Sequence, residues 1–132
     1  MDEKRLRSLP LFENLGRKER KLVAQRADEI DVPEGKRLAT QGEFAYEFFV
    51  VEDGTAEVIA DGERLAELGP GDFLGEIALV RHDRRTADVV ARSPMRLVVL
   101  TAADFRAMRR ELPDVADQVE RAAEQRLTHI SG

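Results

Sequence analysis

Between Gly71 and Val89 the sequence reads GDFLGEIALVRHDRRTADV, and these residue types are the ones that hold a single phosphate and a sugar. Gly75 can bring a backbone close to a ligand or turn the chain sharply. Glu76-Ile77-Ala78-Leu79 has the length of one helical turn, whose unpaired N–H groups would face an anion. Ten residues after Gly75 stands Arg85, whose planar fork matches two phosphate oxygens at once. Arg81 and Arg84 either steer an anion or are solvated surface charges; in both cases the loop is positive in a chain of net charge -5. A buried Glu76 needs donors, and a pair of sugar hydroxyls supplies them. Gly75 alone reads as a turn and Arg85 alone as a surface charge. In this spacing they describe a nucleotide monophosphate site.

Those residues must be carried by short strands. From residue 33 to residue 101 apolar positions alternate or run in brief buried stretches: Arg37 to Thr40, Phe48 to Val51, Thr55 to Ala60, Arg64 to Leu68, Val89 to Ala91 and Arg96 to Leu100. Turn signals separate them at Asp53-Gly54, Asp61-Gly62 and Gly69-Pro70-Gly71-Asp72. Helical spacing flanks this region. Leu6 to Leu15 reads as a short helix or turn around Pro10, and Leu22, Val23, Ala27 and Ile30 predict a helix over 17–30, stopped by Pro33 and Gly35. After Thr101, a helix over 102–112 with Thr101 or Asp104 at its cap precedes a second. Pro113 opens that second helix, which carries Val115, Ala116, Val119, Ala122, Ala123, Leu127 and Ile130 on one stripe. The expected fold class is α+β: an antiparallel, jelly-roll-like β-roll flanked by an N-terminal helix and two C-terminal helices. The chain is expected to be a single domain over 1–132, with a helical part over 6–32, a roll over 33–101 containing the phosphate-binding segment 75–89, and a hinge and lid over 102–131.

Composition removes several function classes. With 21 Lys and Arg against 26 Asp and Glu, the chain lacks the net basic character that nucleic-acid backbones require. It has no cysteine and two histidines, His82 and His129, so thiolate chemistry, Cys-based zinc sites and a Ser-His-Asp triad are not expected. The longest apolar runs are a few residues, too short for direct membrane insertion, and no signal-peptide core follows Met1 to Arg5. A cytoplasmic protein without a cofactor is expected.

The residues quoted so far resemble the cyclic nucleotide-binding domain, the regulatory module of protein kinase A regulatory subunits, catabolite activator proteins and cyclic-nucleotide-gated channels. That family's phosphate-binding cassette stands here as Gly75-Glu76-Ile77-Ala78-Leu79 and Arg85-Thr86-Ala87-Asp88-Val89, with its spacing kept. Leu9-Pro10-Leu11-Phe12, Gly42-Glu43, Asp53-Gly54 and Leu68-Gly69-Pro70-Gly71-Asp72 extend the likeness over nearly the whole chain. The resemblance implies that Glu76 accepts the ribose 2′-hydroxyl and that Arg85 clamps the cyclic phosphate, helped by backbone N–H groups around Gly75, Glu76 and Ala78. It implies that Thr86 meets the phosphate or the base, with Ile77 and Ala87 completing the cassette, and that Val58, Leu68 and Leu74 line the purine pocket. The last helix would be a lid, with Arg126 stacking on the purine and Ile130 capping it; Arg126 reads equally as an ordinary exposed helix residue. Two positions depart from the pattern. Arg84 stands where proline is frequent, which loosens the loop and raises its charge, and Leu74 stands where an aromatic is common.

The resulting expectation is a binding module and not an enzyme. It takes cAMP or cGMP, Thr86 being compatible with either, and moves its lid helix to control an effector domain or protein in trans, such as a channel or an enzyme. A DNA-binding regulator would need a helix-turn-helix after the lid, and a hydrolase would need a metal cluster or a base beside Arg85. The alternative is a ligand-free relative of the same fold serving as a structural or docking domain.

Overall fold

Helical spacing gives way to strand pairing at residue 28, earlier than apolar spacing predicts. A computed structural model describes residues 1–75 and 84–130 of the chain, and for 122, 123 and 125–130 the backbone alone. Helix α1 (Glu3–Arg7) and a 3-10 turn (Pro10–Phe12) lead into helix α2 (Arg17–Arg26). The helix expected to reach Ile30 stops at Arg26, and Asp28–Val32 forms strand β1. The roll therefore begins inside the segment assigned to the helical part. The cause is tertiary: β1 pairs antiparallel with a strand near the end of the roll, Asp28 opposite Val99 and Val32 opposite Met95. Two of its acidic side chains are taken up by arginines, Glu29 by Arg5 at 2.7 Å and Asp31 by Arg96 at 3.0 Å.

The remaining strands are β2 (Arg37–Ala39), β3 (Glu47–Asp53), β4 (Ala56–Ala60), β5 (Glu63–Leu68), β6 (Phe73–Leu74), β7 (Asp88–Ala91) and β8 (Met95–Thr101). They form two antiparallel four-stranded sheets, in the orders β1-β8-β3-β6 and β2-β7-β4-β5. The Asp61-Gly62 pair turns β4 into β5 with both residues at positive φ, 52° and 80°, the twist that a tight hairpin requires. Two C-terminal helices follow, α3 (Ala102–Glu111) and α4 (Pro113–Ile130).

Within the first sheet β3 and β8 are buried on both faces, which is why Phe48 to Val51 is continuously apolar. Phe49, Val51, Leu97 and Val99 point between the sheets and pack with Ala39, Leu68, Leu74 and Val89. Phe48, Val50, Val98 and Leu100 point the other way, into a layer shared with Leu6, Phe12 and Val23, and with Phe105, Met108, Val115 and Val119 of the C-terminal helices. The antiparallel roll with flanking helices thus matches the expected fold class. Among the described residues no helix is long and apolar enough to cross a membrane.

Candidate functional site

Arg85 lies in the segment leading into β7, and main-chain hydrogen bonds fix its backbone. Its N–H donates to the Glu43 carbonyl at 2.6 Å, its own carbonyl accepts from Gly42 N–H at 2.9 Å, and the neighbouring Arg84 forms an antiparallel bridge with Phe44. The loop opposite is tied down in turn: Gln41 N–H donates to Asp88 Oδ1 at 2.7 Å and Glu43 N–H to the Thr40 carbonyl at 3.1 Å. Two segments, their hydrogen-bonded residues at least 42 apart in the chain, are thereby locked together, with Gly42 N–H bonded to the Arg85 carbonyl.

The Arg85 side chain is oriented by a main-chain carbonyl, with Nη2 donating to Glu47 O at 2.9 Å. Five N–H donors in one plane let a guanidinium engage more than one partner at once. Gly75, at φ +88°, closes the arrangement, because a Cβ there would overlap both the Arg85 fork and the Glu47 carbonyl. Gly75, expected either to approach a ligand or to turn the chain sharply, stands at a positive φ against the arginine.

Arg85 opens onto a cleft of about 520 Å³. Residues 37–40 form one side, the loop from Gly42 to Glu47 another, and Arg84 and Arg85 the third. Arg37, Arg84 and Arg85 bring three positive charges to it and Glu43 and Glu47 two negative ones. Arg84 is also fixed, its Nη1 donating to the Gly42 carbonyl at 2.7 Å and its guanidinium lying 4.2 Å from the centre of the Phe44 ring. Phe44 and Tyr46 line the cleft with rings 6.5 Å apart. Sequence reading passed over both; the signal was two aromatics two residues apart in the otherwise polar stretch Gln41 to Glu47.

The other expected site residues divide into three groups. Thr86 is exposed beside Arg85, and Ala87 is buried where the strand begins. Leu68 and Leu74 are 4% and 7% exposed and belong to the core between the sheets, with Val58 half-buried against them; none of the three lines the cleft at Arg85. Glu76, Ile77 and Ala78 lie outside the described residues, as do the side chains of Arg126 and Ile130. Among the described residues no group of His, Cys, Asp or Glu is placed to hold a metal ion.

The cleft is joined to the C-terminal helices. Glu47, whose carbonyl holds Arg85, pairs with Thr101, and the adjacent Tyr46 carbonyl accepts from Ala102 N–H at 2.9 Å. Thr101 and Asp104 cap α3 reciprocally, each side chain accepting from the other's N–H at 3.0 Å. Arg109 then ties α3 to α4 through Asp117 at 3.0 Å and through Glu120.

Residues 29–111 match the family model described as cyclic nucleotide-binding domain. A cAMP-dependent protein kinase regulatory subunit from Yarrowia lipolytica is 38% identical over 96 residues, covering 73% of this chain and 26% of that protein. The chain thus spans about a quarter of that relative's length. Two solved structures share the fold. A cyclic nucleotide-binding domain from Methylobacillus flagellatus KT superposes with a TM-score of 0.84 at 21% identity, over 96% of this chain and 74% of the other. The catabolite activator protein of Thermus thermophilus superposes with a TM-score of 0.79 at 30% identity, over 91% of this chain and 59% of the other.

Proposed function

Because the chain belongs to the cyclic nucleotide-binding domain family, we propose that it binds cAMP, or cGMP, in the cleft at Arg85 and reports occupancy by moving its last helix. The observation that carries this reading is the preset Arg85 fork, held by the Glu47 carbonyl and backed by a glycine that leaves it room. A guanidinium fork matches a singly charged cyclic phosphate through two parallel N–H···O bonds. Glu76 is assigned to the ribose hydroxyl, backbone N–H groups at Gly75, Glu76 and Ala78 to the phosphate oxygens, and Thr86 to the phosphate or base. Val58, Leu68 and Leu74 are assigned to the purine side, and Ile77 and Ala87 to packing within the cassette.

The output follows from differential contact. A ligand shifts a two-state equilibrium only if it touches one state better than the other. Arg126 and Ile130 are assigned that role, since they reach the purine only with the lid helix down. The connection from Glu47 and Tyr46 to Thr101 and Ala102 supports a mechanical link between the phosphate site and α3. The chain is a regulatory module without catalysis of its own, and its effector is a protein or domain coupled to α4. The relative's name, a cAMP-dependent kinase regulatory subunit, supports cAMP and makes a kinase one such effector.

Calorimetric titration of cAMP and cGMP into wild type and Arg85→Ala tests the proposal. Wild type gives saturable one-site binding, and the mutant loses about 2–5 kcal/mol because a buried phosphate charge loses its partner. A micromolar complex, about -8.2 kcal/mol, then falls to tens of micromolar or weaker. The ratio of the two affinities assigns the purine. Binding unchanged in Arg85→Ala overturns the assigned pose, and flat traces from folded, ligand-free wild type identify a docking relative that has lost its ligand.

A further inference from the structure

The second sheet is strapped across one end by a single residue. Gln41 follows β2 and precedes Gly42 and Glu43, which bond the Arg85 backbone. Its N–H donates to Asp88 Oδ1 at 2.7 Å, where β7 begins. Its side-chain amide meets Asp61, in the turn between β4 and β5, twice. Nε2 donates to Asp61 Oδ1 at 3.0 Å, and Oε1 accepts from Asp61 N–H at 3.1 Å. One residue thus joins the end of β2, the start of β7 and the hairpin tip, in the order in which strands β2, β7, β4 and β5 lie in the sheet. Asp61 is the only non-glycine residue at positive φ among the described residues. Glycine serves such a position without steric cost; what the aspartate adds is the carboxylate that Gln41 engages.

The strap lies between the two halves of the proposed ligand site. On one side Gly42 N–H and the Glu43 carbonyl hold the Arg85 backbone. On the other, β4 carries Val58, assigned to the purine side and paired with Val89, before the chain turns at Asp61. A ligand whose phosphate is fused to its sugar is rigid, so the groups that hold its two ends must keep a fixed separation. We infer that Gln41 is a positioning residue: through Asp61 and Asp88 it fixes the β4–β5 hairpin relative to the Arg85 segment, and so sets the spacing between the phosphate fork and the purine side of the pocket. The inference rests on the cyclic nucleotide reading of this site and adds to it a determinant that acts through the frame and not by touching ligand.

Calorimetric titration of cAMP into the full chain, with urea unfolding alongside, separates positioning from stability. Gln41→Ala deletes both side-chain bonds and is expected to weaken cAMP about three- to tenfold, the scale of one or two hydrogen bonds. Gln41→Glu sets two carboxylates together, takes the donor from Asp61 Oδ1 and gives at least the same loss. Adding Asp61→Asn to Gln41→Glu reverses the polarity of the pair, the asparagine amide donating to the new carboxylate, and restores affinity to within about twofold of wild type. Asp61→Gly relieves the positive φ while removing the carboxylate, so its urea midpoint holds or rises as cAMP binding weakens. Wild-type affinity in Gln41→Ala and Gln41→Glu overturns the positioning role and leaves the Arg85 site standing. A loss that Asp61→Asn fails to restore, or that only follows the urea midpoint, overturns it too. Absence of cAMP binding to folded wild type overturns the site reading, and the strap's role with it.

Discussion

Replacing Gly75 with alanine isolates the contact on which the proposed phosphate site depends. The residue sits at φ +88°, where an L side chain costs roughly 1–2 kcal/mol. The new Cβ would also overlap the Glu47 carbonyl and the Arg85 Nη1. The carbonyl is main chain in β3, paired through Glu47 to Thr101, and cannot yield cheaply; overpacking of this kind costs roughly 1–3 kcal/mol. The guanidinium is the flexible end of a side chain and can swing aside, but then gives up its 2.9 Å bond to Glu47. The sum is a destabilisation of roughly 2–5 kcal/mol, a large share of the 5–15 typical of a domain. Affinity for cAMP falls as well, because the fork no longer starts in its binding geometry. Gly54→Ala is the control: φ is +92°, its Cβ would meet the Pro94 carbonyl and Met95, and it lies at the other end of β3. Urea unfolding should show comparable losses for both variants, while calorimetry at a temperature where both are folded should show weaker cAMP binding for Gly75→Ala alone. An alanine at 75 that leaves the urea midpoint unchanged, or that binds cAMP as well as Gly54→Ala does, refutes the account of how Arg85 is positioned.

Two further outcomes concern the elements around the site. Thr101→Ala removes half of the capping box on α3 and should cost about 1 kcal/mol in urea unfolding, with Thr101→Ser restoring most of it. Asp31 has its carboxyl held below the usual range, first by the hydrogen bond from Arg96 and then by that arginine's charge. A carboxylate whose pKa is lower in the folded state contributes stability above its unfolded pKa and loses it as pH falls through the folded value. The difference in melting temperature between wild type and Asp31→Asn should therefore be present at neutral pH and shrink to nothing through the acid limb. It should be small throughout, because the pair is solvent-exposed.

Much of the roll was legible because its strands obey local rules. Phe48 to Val51 is apolar on both faces because both faces of its sheet are covered, and Asp61-Gly62 turns as its residue types require. Strand β1 was not legible. Leu22, Val23, Ala27 and Ile30 fall at helical spacing, and among Asp28 to Val32 the apolar Ile30 is 36% exposed while the acidic Glu29 and Asp31 are ion-paired. What makes this segment a strand is β8, far along the chain, and no local window contains it. At the site, the cassette spacing singles out Arg85 as a candidate, because phosphate chemistry constrains residue type. It could not say that a main-chain carbonyl orients the fork, since any residue supplies a carbonyl. Phe44 and Tyr46, which line the cleft, were passed over, because nothing local in a sequence separates an exposed aromatic from a core one.

The pairing of β1 with β8 also governs how the chain is made. Asp28 waits for Val99, and at roughly 5–20 residues per second of synthesis that wait lasts about 4–14 s. Over that interval Leu6, Phe12 and Val23 have neither the outer face of β8 nor α4 to pack on. Before β8 arrives only the β3-β6 pair of sheet β1-β8-β3-β6 can form, because β8 lies between β1 and β3. A ribosome stalled before Thr101 therefore presents an unpaired β1, an open edge of β3 and a row of bare apolar side chains. Such a nascent chain exposes the apolar surface and unpaired strand edges that chaperones bind, until β8 has been made and paired.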